Sequence, residues 1–328
     1  MKAIVLGATG FIGSHVVRAL LKEGIDVRIL RRSKSPLKAL EGLKMEETIG
    51  DLSNVKSLKK AFKGCGALFH VAGYYPLVSW DGDKQKELAF RQMQNVIEAV
   101  SETSSLERVV YTSSMSTIGK AKRGLAHEDT PYDTHRFKGL YYEIKYELEM
   151  QIFEAVAHGL PFVIVNPTGV FGDYDVKPTS GNLVVQIAKG RLPFIFDAKM
   201  NAVDVRDAAS AHVAAMKKGK VGERYILGGH NTTLWAVSHL IARLAGARPP
   251  MARLPLVLGR WASFASECAS HYLFHQDRTL VPRVGIDFLQ YGMHDDTRKA
   301  QRKLGLKATP LQQTFERALG WFKKEGYV

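Results

Sequence analysis

MKAIVLGATGFIG (residues 1–13) carries three signals in one short segment. An apolar run, Ala3 to Leu6, reads as a buried parallel strand. Glycines at 7, 10 and 13 follow, and then Val16, Val17, Leu20 and Leu21 recur with a helical period. Each glycine has its own reason. Gly7 permits a tight turn, Gly10 lets backbone approach a pyrophosphate with no Cβ in the way, and Gly13 lets helix pack closely on strand. The helix N-terminus brings unpaired N–H groups and the positive end of a dipole to the same place, where a phosphate is stabilised. Strand, turn and helix in this order predict an α/β fold, a Rossmann-type doubly wound parallel sheet with a dinucleotide at its edge. Without that flanking order, a glycine triplet would mean only an ordinary strand-to-helix turn.

At 328 residues the chain can hold one large α/β domain and a smaller appended region. Residues 1–172 read as the dinucleotide-binding core with the catalytic side chains. Residues 173–328 read as mostly a C-terminal substrate-binding lid, with segments around 203–228 returning to the core. There is no repeat of solenoid period, and no apolar run approaches the ~18–20 residues that span a bilayer. The N-terminus reads as a core strand rather than a signal segment, and Cys65 and Cys268 are too few for a disulfide framework. The expectation is a reduced, cytoplasmic protein. A net charge of +14 is the unusual bulk feature. The basic residues are dispersed and no nucleic-acid-binding motif accompanies them, so no nucleic-acid partner is expected. An anionic cofactor or substrate, an acidic membrane surface, or a generally basic solvated surface each accounts for the charge.

The second strand, IDVRIL (25–30), ends in Arg31, Arg32 and Ser33. An acidic residue at such a tip would bond the ribose hydroxyls of NAD and repel an added phosphate. Two guanidinium groups can instead hold a 2′-phosphate in bidentate fashion. NADP(H) is therefore the expected cofactor, with NAD(H) as the alternative and solvated loop arginines as the plainer reading. LFHVAG (68–73) is a strand ending in small residues, with His70 read as packed rather than catalytic. VVYTSSMSTIG (109–119) begins apolar and ends in hydroxyls. That puts Ser113, Ser114 and Ser116 at a strand's C-terminal edge, where ligands bind in an open parallel sheet. Downstream, YYEIK (141–145) falls in a helical pattern, so Tyr141 and Lys145 share one face. A phenol with a pKa near ~10 is a poor acid–base catalyst at neutral pH, and a nearby lysine cation favours its ionised form. Tyr142, one residue off that face, is expected to pack or to line substrate. NPTGVFG (166–172) closes a further strand, FVIV.

Together, GATGFIG, the strand-end TSS, YYEIK, NPTGVFG and VDVRDAA (203–209) resemble the extended short-chain dehydrogenase/reductases, the NAD-dependent epimerase/dehydratase family. Within it the chain is similar to the dihydroflavonol-4-reductase-like set, which includes bacterial proteins named hopanoid-associated sugar epimerases. The likeness extends to the closing TRKAQRKLG and GWFKKEGY. It implies a catalytic Ser114 (Ser113 being the lesser option), Tyr141 and Lys145, the last two also touching cofactor. It implies cofactor contacts from Gly7, Thr9, Gly10, Phe11, Ile12 and Gly13, and from Arg31 and Arg32, with Arg32 standing where relatives carry a phosphate-binding arginine. Asp51 and Leu52 match a segment bordering the adenine; Val71, Ala72 and Gly73 lie beside the cofactor; Pro167, Thr168, Gly169 and Val170 wrap the nicotinamide. Many relatives dimerise through the helix bearing YxxxK, so a homodimer is an expectation. The chain departs from the pattern at Ala89-Phe90-Arg91-Gln92-Met93, where relatives usually show an NVxGT-type segment whose Asn orders solvent near the lysine.

Leu254 to Phe274, rich in Leu, Val, Trp, Phe and Ala, reads as a helical lid over the sheet edge. It is either ordinary helix packing or an apolar pocket or membrane-facing portal for a lipid-like substrate, which admits peripheral membrane contact. His271 and His275 share i, i+4 spacing, but no HExxH and no third ligand accompany them, so no metal is expected. Three absences, judged against the resembling family, narrow the reaction. The Asp-Glu pair of dehydratases is Met115-Ser116 here. An arginine that clamps a sugar-nucleotide diphosphate is Met200 or a neighbour, with no second clamp near Gly292. Arg31 and Arg32 suggest an exchanging NADP(H), unlike the retained NAD of epimerases. The expectation is a carbonyl reductase or alcohol dehydrogenase acting on a relatively apolar, flavonoid-, steroid- or terpenoid-like small molecule. The alternatives are an NAD-dependent nucleotide-sugar epimerase and a cofactor-sensing Rossmann regulator without turnover.

Overall fold

A computed structural model of the chain describes residues 1–73, 81–135, 137–196, 198–272 and 283–328. Phe274 and His275 lie outside the described residues, as does the side chain of His271. In chain order the strands are β1 (Lys2–Leu6), β2 (Asp26–Arg31), β3 (Glu46–Ile49), β4 (Ala67–His70), β5 (Arg108–Thr112), β6 (Phe162–Pro167), β7 (Gly169–Phe171), β8 (Phe194–Phe196), β9 (Lys199–Asp204), β10 (Arg224–Leu227), β11 (His230–Thr233) and β12 (Ala252–Leu254). The helices are α1 (Phe11–Lys22), α2 (Val55–Phe62), α3 (Gly82–Ser101), α4 (Leu140–Ala157), α5 (Gly181–Ala188), α6 (Val205–Lys218), α7 (Leu234–Ala245), α8 (Leu256–Tyr272), α9 (Arg283–Gln290), α10 (Arg298–Leu304) and α11 (Leu311–Lys324).

The main sheet has seven strands in the order β10-β6-β5-β4-β1-β2-β3, every neighbouring pair parallel. Helices cover both faces, which is why these strands read as near-continuous apolar runs. Successive side chains of β1 alternate between the two covers. Ala3 and Val5 pack with Val16, Val17 and Leu20 of α1 and with Ala209 and Val213 of α6. Ile4 and Leu6 pack with Leu58 of α2, Val96 of α3 and Ile144 and Leu148 of α4. Connections run one way from β1 through β2 to β3 and the other way from β4 outward. The order therefore reverses between β1 and β4, and an open crevice forms at their C-terminal ends.

That crevice needs backbone to approach backbone. Gly7 turns the chain out of β1 with φ +81°, and a Cβ there would lie 2.6 Å from the Ala72 nitrogen. A Cβ on Gly13 would overlap the Gly7 carbonyl oxygen. Both obstacles are backbone atoms, which cannot swing aside as a side-chain tip can. Gly13→Ala is expected to cost about 3 kcal/mol through overpacking. Thermal unfolding reads that loss, and a fall in cofactor affinity should accompany it.

The remaining elements build the second region. A three-stranded sheet, β11-β9-β7, packs with α5, α7 and α11, and a two-stranded pair joins β12 to β8. One element crosses the boundary expected from sequence. Besides α6 and β10, helix α10 joins the core layer: Ala300 and Leu304, one turn apart, pack with Ala215 and Met216 of α6. TRKAQRKLG is thus a core-covering segment within the stretch assigned mostly to substrate binding. Its apolar residues are too few for the periodicity to have announced a buried face.

Candidate active site

At the switch point a cavity of about 690 Å³ is lined by Gly7, Thr9, Gly10, Phe11, Ile12 and Gly13, by Arg32 to Pro36, and by Val71 and Asp175 to Lys177. Gly10 caps α1 with no side-chain bond, and no acid stands in the helix's first turn. The helix N-terminus thus presents its N–H groups to the cavity unopposed, as a pyrophosphate requires. The missing Cβ atoms, the cavity and the adjacent cations fit a dinucleotide.

The two arginines of the β2 tip are not equivalent. Arg31 Nε donates to Glu47 Oε2 at 2.6 Å, and its Nη1 donates to the carbonyls of Arg32 and Ser33. Arg31 is thereby held on β3. Arg32 is exposed and lines the cavity together with Ser33, Lys34 and Ser35. Lys34 was not singled out by sequence reading; the third cation in RRSKS was its signal. Asp51 and Leu52 lie outside this lining. Asp51 Oδ1 accepts the Ser53 N–H at 2.8 Å, and the Leu52 carbonyl accepts from Asn95 Nδ2 at 2.9 Å. Pro167 to Val170, at and beyond the end of β6, also lie outside this lining; Val170 packs on Phe11 and Ile12, and Thr168 Oγ1 donates to Asn201 Oδ1 at 2.9 Å.

Three elements bring the reacting side chains together. Beyond the end of β5, Ser114 caps the short turn Met115–Thr117, its Oγ accepting the Ser116 N–H at 3.1 Å. Helix α4 points Tyr141 and Lys145 inward, both buried. Burial raises the Tyr141 pKa above the ordinary phenol value, opposed by hydrogen bonds to the Ser114 and then the Ser116 side chains. Burial also pushes Lys145 down to about 8, with the Glu149 carboxylate opposing. The Lys145 Nζ lies 5.9 Å from the Tyr141 ring centre. Gly73, after β4, makes room for that ammonium, since a Cβ there would stand 3.0 Å from Nζ. Ser113 does not join them. Its N–H is committed to the Val165 carbonyl at 2.8 Å, and its buried Oγ has no hydrogen-bond partner among the described residues.

Beneath this group lies a polar network that sequence reading did not anticipate. Glu149 is fully buried one turn beyond Lys145. Its Oε1 accepts from Arg224 at 2.7 Å, and its Oε2 accepts from Thr117 Oγ1 and Asn166 Nδ2, each at 2.8 Å. Asn166 Nδ2 also lies 3.0 Å from the Ser114 carbonyl. The available signal was the spacing 141, 145, 149, a polar stripe continuing down one face of an otherwise packed helix. At the atypical α3 segment, Ala89 and Met93 join the apolar core. His70 is held neutral by burial and by the Lys145 charge, its pKa down to about 3, and it packs on the Tyr111 ring. Tyr142 packs against Phe137, Phe288 and Tyr291.

A second cavity, of about 710 Å³, opens between α8 and α9, bounded by Lys138, Trp261, Phe264, Asp287 and Tyr291 among others. Tyr291 of its wall packs on the Tyr142 ring, and Tyr142 and Phe288 in turn pack on Tyr141, Phe288 at 4.9 Å.

Residues 3–228 match the model of the NAD dependent epimerase/dehydratase family. Over 99% of its length the chain is 33% identical to a Synechocystis sp. protein provisionally named a dihydroflavonol 4-reductase, 95% of which is covered. It is 28% identical to sterol demethylase protein B of Methylococcus capsulatus across the full length of both. The crystal structure of a nucleoside-diphosphate-sugar epimerase from Pseudomonas aeruginosa superposes with a TM-score of 0.84 at 26% identity, covering 100% of this chain and 99% of that one. Fold, glycine cradle and full-length likeness agree: the chain belongs to the NAD-dependent epimerase/dehydratase family of extended short-chain dehydrogenase/reductases and is an oxidoreductase of that family.

Proposed function

We propose that this protein is an NADP(H)-dependent carbonyl reductase, or alcohol dehydrogenase in the reverse direction, for a relatively apolar flavonoid-, steroid- or terpenoid-like substrate. The observation that carries the reading is the buried Tyr141 phenol, hydrogen-bonded to Ser114 and one helical turn from Lys145, whose ammonium reaches Gly73, two residues beyond Val71 of the cofactor-shaped cavity. When bound, the nicotinamide supplies the hydride. Ser114 Oγ donates to the substrate carbonyl oxygen and fixes its position. Burial keeps the Tyr141 phenol protonated at neutral pH, so its proton is available to the developing alkoxide. The Lys145 ammonium stabilises the phenolate that remains. Arg32 and Lys34 would hold a 2′-phosphate.

An apolar substrate is supported by the aromatic wall joining the second cavity to Tyr141 and by the sterol in the name of the Methylococcus relative. Nucleotide-sugar epimerisation is the second reading, favoured by the likeness to the Pseudomonas epimerase. Against it, the position where a diphosphate clamp is expected is Met200 or a neighbour, and Met200 packs into an apolar cluster with Leu183 and Leu192. Gly292 lies tightly against the Lys199 carbonyl.

Fluorescence titration of the cofactor-stripped protein tests the cofactor assignment. NADPH is expected to bind about 10–100-fold more tightly than NADH, from one or two charge-assisted hydrogen bonds. Arg32→Ala should erase that preference, whereas Arg31→Ala should change it little because Glu47 already holds Arg31. Copurifying NAD(H) that resists exchange would overturn the reductase reading in favour of epimerisation.

A further inference from the structure

The first half of helix α8, residues 257–264, is folded inside out. Its small residues face the protein: Gly259 is buried against Phe196 and Ile286, and Ser263, one turn on, is buried too. Its large apolar residues face outward along one stripe, Val257 (62% exposed), Leu258, Trp261 (70%) and Phe264. Met251, just before β12, is 74% exposed, and Phe194, on the strand paired with β12, is exposed as well. An ordinary surface helix turns such a stripe to the core. A contiguous outward patch of this kind marks a contact surface.

The charge around the patch selects the partner. From Arg243 to Ser266 the chain has four arginines and no Asp or Glu. All four, Arg243, Arg248, Arg253 and Arg260, are exposed. The whole chain carries +14. Exposed Trp and Phe flanked by Arg is the chemistry of an interfacial helix lying in the headgroup region of an anionic bilayer. No helix among the described residues is long and apolar enough to cross a membrane. We infer that α8, with Met251 beside it, docks this protein peripherally on an anionic phospholipid bilayer. Val257, Trp261 and Phe264 also line the α8–α9 cavity. Docking therefore places the cavity mouth at the acyl boundary, where an apolar substrate resides. This second step rests on the reductase reading; the docking itself does not.

Vesicle flotation tests the inference directly. The full chain is expected to float with vesicles of phosphatidylcholine and phosphatidylglycerol at low salt, and to be left behind by pure phosphatidylcholine. Trp261→Ser combined with Phe264→Ser should weaken binding by roughly tenfold or more. Arg253→Glu and Arg260→Glu should each weaken it by more than about fivefold. Melting temperatures near the parent's would show these surface variants folded. Absence of anionic-vesicle binding, or binding that the Trp261/Phe264 variant retains, overturns the inference. So does a dimer in sedimentation that the same variant splits, because a second copy would then be the occupant. Tyr141→Phe should float like the parent. Lost flotation with retained ketone reduction refutes docking alone, and retained flotation without reduction refutes the reductase alone.

Discussion

Tyr141→Phe is expected to lower turnover of a ketone by about 10²–10⁴-fold, the contribution of a positioned proton donor. The ring should stay where it is. It packs on Tyr142 and Phe288, and neither contact uses the hydroxyl. Losing the hydroxyl removes its hydrogen bond to Ser114, whose Oγ still accepts the Ser116 N–H, so stability should fall by only about 1 kcal/mol. Cofactor affinity, governed by the glycine turn and Arg32, should be nearly unchanged. The decisive comparison is therefore the loss of turnover against unchanged NADPH titration in the same preparation. Equal loss of both would make Tyr141 a packing residue. Full retention of turnover would move the proton donor elsewhere, with the Ser114 hydroxyl, a hydrogen-bond partner of Tyr141, the next candidate.

Much of this site could be read from sequence because its parts are local. The glycine turn, the strand-end serines and the Tyr–Lys pair each depend on residues a few positions apart, and their spacing has a direct steric or helical meaning. What sequence could not give depends on elements far apart in the chain. Arg31 and Arg32 are adjacent and chemically alike, yet one meets Glu47 on the neighbouring strand and the other faces the cavity. Gly73 looked like one more small residue beside cofactor until α4 delivered the Lys145 ammonium against it. The apolar content of 254–274 was visible, but not which way it pointed; for 257–264, burial of Gly259 and Ser263 decides that.

Glu149 shows the same limit most clearly, and its removal is the second large effect expected. A lysine buried this deeply loses the hydration that favours its charge, and its pKa falls to about 8 with Glu149 holding it up. Glu149→Gln keeps the side-chain shape but removes that support, so the Lys145 pKa must fall below 8. If the ammonium assists proton donation by Tyr141, kcat/KM for reduction in the parent declines as pH rises through about 8. In the variant the decline begins at lower pH, and the loss at neutral pH follows from it. The stability signs differ. Between about 8 and the ordinary lysine value of 10.5 the unfolded chain binds more protons at Lys145 than the native one, so this group's share of stability rises with pH. Separately, Arg224 loses its buried partner, which costs about 3 kcal/mol. A structural role alone would lower the melting temperature and leave the pH profile where it was. A profile shifted toward acid assigns Glu149 a positioning role, setting the charge of the lysine that tunes the tyrosine.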